Sequence, residues 1–62
     1  MINSTEDDVK NKRRVVYTPL RGPKERGVLT GLDHINPYKV FVLYDGASES
    51  QATDRADLTW ER

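Results

Sequence analysis

His34 is the one imidazole in the chain, standing between Asp33 and Ile35 in a segment that ends Asn36-Pro37. General acid–base catalysis asks for such a group held beside the proton it moves, and nucleophilic catalysis asks for a Ser, Thr or Cys beside a base. The neighbours of His34 are turn formers, so it reads as a solvated loop residue. A metal ion needs three or four convergent ligands, and the chain has no Cys to offer. Asp45, Glu49, Asp54 and Asp57 follow one another late in the chain, without the loop spacing of a calcium site. Asp45 reads as a turn residue, Asp54 as a cap and the others as solvated. The residues therefore predict no catalytic group, no cofactor and no metal: the chain is not expected to be an enzyme.

Two further patterns bear on ligands. Arg21-Gly22-Pro23-Lys24-Glu25-Arg26-Gly27 mixes glycine with cations, as a phosphate cradle does. A cradle needs successive backbone N–H groups leading into a helix. Pro23 removes one of them, and a strand follows Gly27, so the segment is a connecting loop. Tyr17, Tyr38, Phe41, Tyr44 and Trp60 could hold a cation by cation–π attraction. A domain this small also needs large rings merely to fill its interior, and that is the reading adopted.

Binding candidates come from alternation and from charge. In Tyr38–Tyr44, period-two alternation puts Tyr38, Val40, Val42 and Tyr44 on one face and Lys39, Phe41 and Leu43 on the other. With the first face in the core, Phe41 and Leu43 form an apolar pair for a protein partner, a second copy included, unless the N-terminal segment covers them; a groove between the first loop and the turn joining the second and third strands is the alternative surface. The formal net charge is zero, yet the signs are segregated. Residues 1–9 and 40–62 are acidic, while residues 10–39 set Arg13, Arg14, Arg21, Lys24, Arg26 and three lysines against Glu25 and Asp33. Arg13, Arg14, Arg21, Lys24 and Arg26 are the candidates for an alternative, sequence-tolerant binding to nucleic acid phosphates.

The elements that would position these groups follow from the punctuation. Residues 1–12 carry few apolar side chains and no periodicity, and are expected to be a flexible N-terminal tail; a short helix capped by Ser4 or Thr5 is the alternative. Residues 13–62 hold the domain. Arg14–Thr18 is a strand ended by Pro19, and Gly27–Leu32 is a second strand, kinked or bulged at Gly31. Asp33–Pro37 is a turn with Ile35 expected inside. Tyr38–Tyr44 is a strand closed by the Asp45-Gly46 hairpin signal, Glu49–Thr53 a polar strand, Asp54–Asp57 one helical turn and Leu58–Trp60 a last strand. Without sustained helical periodicity the chain is all-β. Short strands in so small a domain suit a five-stranded, SH3-like barrel with a helical turn before its last strand, the OB-fold being the rival.

Glu25-Arg26-Gly27-Val28-Leu29-Thr30, Tyr38–Tyr44, Gln51-Ala52-Thr53 and Asp57-Leu58-Thr59-Trp60 resemble the wording of small SH3-like barrel proteins of the Tudor and KOW kind, and of short bacteriophage and prophage proteins. The resemblance implies a fold and a mobile-element origin, and carries no catalytic residue. At 62 residues with 32% charged and 35% hydrophobic side chains, the chain has room for one small core and no membrane-spanning run. The expectation is a soluble, cytoplasmic binding module for a protein partner.

Overall fold

The computed structural model describes residues 1–62. Helix α1 (Glu6–Lys10) precedes strands β1 (Arg14–Tyr17), β2 (Glu25–Leu32), β3 (Lys39–Tyr44) and β4 (Gln51–Asp54); a 3-10 turn (Arg55–Asp57) leads into β5 (Leu58–Trp60). The strands form one antiparallel sheet in the order β4-β3-β2-β1-β5. The all-β expectation therefore holds. The sheet is open, since β4 and β5 stand at its two edges and are joined only through the 3-10 turn.

Alternation decides which side chains are buried. Val15, Leu29, Val40, Val42 and Leu58 lie on one face and are fully buried, whereas Val16, Val28, Phe41 and Leu43 on the other face are half-buried. The β2–β3 register slips between Leu29 and Gly31, the bulge that Gly31 announced. Asp45-Gly46 turns the chain after β3: Ala47 N–H donates to the Tyr44 carbonyl at 2.9 Å. Gly46 takes φ +85° at the third position of that turn, where only glycine is unstrained.

Residues 1–12 are not the flexible tail the composition suggested. Ile2 is 1% exposed and belongs to the core. Its N–H donates to the Arg55 carbonyl at 3.3 Å, and the Arg55 guanidinium donates to the Ser4 carbonyl at 3.2 Å and to the Ser4 hydroxyl. Thr5 caps α1 reciprocally with Asp8. After the helix, Arg13 N–H reaches the Asp8 carbonyl and Lys12 N–H the Val9 carbonyl, with Lys12 at φ +54°. That is a Schellman cap with lysine in the seat that usually takes glycine. Few apolar residues suffice here because the open sheet leaves part of its core face uncovered. One isoleucine placed there gains about 2–3 kcal/mol from burial.

Two smaller expectations are also corrected. Ile35 is 97% exposed at the tip of the β2–β3 turn, and Tyr38 is 72% exposed because β3 begins one residue later, at Lys39.

Candidate functional site

Tyr17 ends β1 and Tyr44 ends β3, with β2 between them. Tyr17 is opposite Glu25 and Tyr44 is opposite Gly27. The two rings meet edge to face, with centroids 6.1 Å apart and planes at 68°. The Tyr44 hydroxyl and the Thr53 hydroxyl share a hydrogen bond of 2.7 Å. Burial pushes the Tyr44 phenol above its ordinary pKa, and the Thr53 hydrogen bond only partly offsets this.

Tyr17, Tyr44 and Thr53 line a groove of about 550 Å³ that runs along β4 from the Asp45-Gly46-Ala47 turn to Asp54. Glu25, Asp45, Asp54 and Asp57 add carboxylates to its walls, against Lys39 as the only cation. Two of the carboxylates are engaged. Asp45 binds the Arg14 guanidinium at 2.7 Å, and Asp54 accepts from Ala56 N–H at 2.9 Å to start the 3-10 turn. Glu25 and Asp57 make no ion pair. They flank Tyr17, Glu25 as its cross-strand partner and Asp57 through its carbonyl, which accepts from Thr18 N–H at 2.8 Å. β4, which lines the groove, is an edge strand with one side unpaired.

The chain matches no protein-family model, no curated protein and no solved structure. No helix is long and apolar enough to cross a membrane. No three His, Asp or Glu side chains converge as a metal site would require.

The residues singled out from sequence are distributed as follows. Leu43 faces Val28 across the strands and shares with Val9 and Lys12 a small apolar hollow of about 360 Å³. The N-terminal segment thus partly shelters it. Phe41 lies opposite Gly31, its ring edge 3.5 Å from the point a Cβ there would occupy. Both residues stand on the outer face that alternation assigns them, and both are half-buried.

The five cations are not all brought together: Arg14, opposite Val28, and Arg26, opposite Val16, stand as diagonal neighbours on one face of β1 and β2. Arg13 binds Asp8 at 3.0 Å and lies 3.7 Å above the Trp60 ring. Arg14 binds Glu61 at 2.8 Å and Asp45 at 2.7 Å, and those hydrogen bonds hold its guanidinium pKa above the ordinary value. Arg21, Lys24 and Arg26 make no ion pair. Arg21 and Lys24 sit on the loop leaving the far end of β1, roughly 10 Å along the strand from Arg14. His34 lies 3.5 Å from Glu6 with both side chains exposed. Asp33 accepts from Ile35 and Asn36 N–H at 2.9 Å each, which lowers its pKa.

Sequence reasoning missed the groove. It sorted the tyrosines to the core and the acids to turns, caps and solvent, each on local grounds. The signal that could have found it was the pairing of Tyr17 with Glu25 and of Tyr44 with Gly27, which sets two tyrosines on one face and depends on a strand register the string does not print.

Proposed function

We propose that this chain is a non-enzymatic, SH3-like protein-binding module whose groove along β4 takes an extended segment carrying Lys or Arg. What supports the SH3-like reading is the strand order β4-β3-β2-β1-β5, with a 3-10 turn between β4 and β5. The observation that carries the function is the Tyr17–Tyr44 pair set among carboxylates beside an unpaired strand edge. An added strand would pair with the main chain of β4 and place alternate side chains in the groove. A cationic side chain there would meet the Tyr17 ring between the free Glu25 and Asp57 carboxylates. The cation–π part is worth about 0.5–2 kcal/mol. The groove is preferred to Phe41 and Leu43 because α1 partly shelters Leu43. It is preferred to nucleic acid because its carboxylates repel phosphate and because Arg13 and Arg14 are already paired.

Titration of the labelled protein with a short Lys/Arg-rich peptide, an acidic peptide of equal length and a duplex oligonucleotide tests the reading by amide and tyrosine shift changes. The basic peptide should perturb β4, Tyr17 and Tyr44. Glu25→Lys with Asp57→Lys should weaken its binding at least tenfold while leaving the melting curve unchanged within about 0.5 kcal/mol, as expected at exposed positions. Shifts confined to Phe41 and Leu43, or tighter binding of the oligonucleotide, would overturn it.

A further inference from the structure

The core of this domain is completed by a side chain that no strand supplies. Ile2 is as buried as the valines of the sheet, yet it reaches its place from beyond α1. Its seat is built by the other end of the chain. Arg55 offers its carbonyl to Ile2 N–H and its guanidinium to Ser4. That guanidinium is itself oriented by the Pro37 carbonyl, to which Nε donates at 2.8 Å. None of these seat groups lies on the N-terminal segment, so the seat accepts residues 1–5 of any copy of the chain equally well.

We propose that two copies exchange residues 1–12, each filling the Ile2 seat of the other. The hinge is the Schellman cap. Lys12 is the one non-glycine residue at positive φ, +54°, a conformation that crowds its Cβ. Extending the chain at Lys12 relieves that crowding and gives up the two backbone hydrogen bonds from Lys12 and Arg13 into α1. Every contact that Ile2 and Ser4 make with Arg55 is remade in the exchanged form. Of the contacts of α1, only those across the hinge itself, such as Asp8 with Arg13, are altered. Exchange of this kind yields a two-fold symmetric dimer. A short connection gives the intramolecular form an effective concentration on the order of millimolar, so the single copy prevails at micromolar protein. The proposal is independent of the peptide reading, since the groove beside Tyr17 and Tyr44 is formed by other residues.

Substitutions at the hinge test it by light scattering after size exclusion. Lys12→Pro forbids positive φ and removes the N–H that donates to Val9, so the cap cannot close. It should double the mass at concentrations where the wild type is monomeric. Lys12→Gly accepts the turn without crowding and should stay monomeric. Adding Ile2→Asp to Lys12→Pro should return the mass to one copy, because the exchanged segment loses the side chain that seats it. A monomeric Lys12→Pro protein, folded or unfolded, would overturn the proposal. So would a Lys12→Pro, Ile2→Asp protein that remains a dimer, or a Lys12→Gly protein that forms one.

Discussion

At Gly27 the absent Cβ is a structural requirement. A methyl group there would sit 2.7 Å from the Leu43 carbonyl oxygen and 2.7 Å from Val42 Cγ1, both closer than van der Waals contact permits. Gly27→Ala should therefore cost about 1–3 kcal/mol, as overpacking does, read as a lower denaturant midpoint at unchanged slope. The substitution should also disturb the β2–β3 pairing beside Leu43 and Val42, visible in the amide shifts of those two residues. Lys12→Gly acts in the other direction. Removing a crowded Cβ outweighs the added freedom of the unfolded chain, and the domain should gain about 0.5–1 kcal/mol. The amino-acid string carries Gly27 in plain view, but only as the end of a loop. Its role depends on Leu43 and Val42, which lie far along the chain and reach it only through the β2–β3 pairing.

Among the elements, the strands were legible and the N-terminal segment was not. Arg14–Tyr17 and Lys39–Tyr44 declare themselves by β-branched and aromatic side chains with period-two alternation, and Pro19 and Asp45-Gly46 mark their ends. The capping residues of α1 are equally visible at Thr5 and Asp8. What the string lacks is the open side of the sheet, without which a five-residue helix has nothing to dock on and would not persist alone. Ile2→Ala should consequently cost about 2–4 kcal/mol, a fall in Tm of roughly 8–30 °C at about 4–8 °C per kcal/mol in a domain of this size. An unchanged melt would return residues 1–12 to the status of a tail. Acid should loosen the same element. The Thr5 N–H and the Arg13 guanidinium hold the Asp8 carboxyl below its usual range, and two backbone N–H groups do so for Asp33. Both carboxylates are thus better stabilised in the folded chain. Their contribution is fully present above the unfolded pKa of about 3.9 and is lost as pH falls through the lower folded values. Amide resonances of α1 should lose dispersion in that window before those of β2 and β3.

Over the whole molecule, the segregation of charge along the chain does not become a segregation in space. Arg14 from the basic half bridges Asp45 and Glu61 from the acidic half, because antiparallel pairing sets β1 beside both β2 and β5. Net charge by segment cannot encode that pairing. The first and last strands meet at Trp60, which pairs with Val15. Trp60 is half-buried against the core and lies beneath Arg13, so it couples the N-terminal segment to the end of the sheet. Trp60→Ala should cost about 2–4 kcal/mol, less than a fully buried Trp. Arg13→Ala should cost about 1 kcal/mol through the lost stacking, and less in the Trp60→Ala background. Strict additivity of the two in a double-mutant cycle would remove the coupling.

The bond from Ile2 N–H to the Arg55 carbonyl also imposes an order on events while the chain is being made. Residue 2 leaves the ribosome early, whereas its acceptor emerges only after nearly every strand has been synthesised. At roughly 5–20 residues per second the isoleucine waits several seconds in solvent with no partner in its own chain. During that interval no chain holds a finished seat, because Arg55 supplies both the carbonyl for Ile2 and the guanidinium for Ser4, so the N-terminal segment is the last part of the core to close.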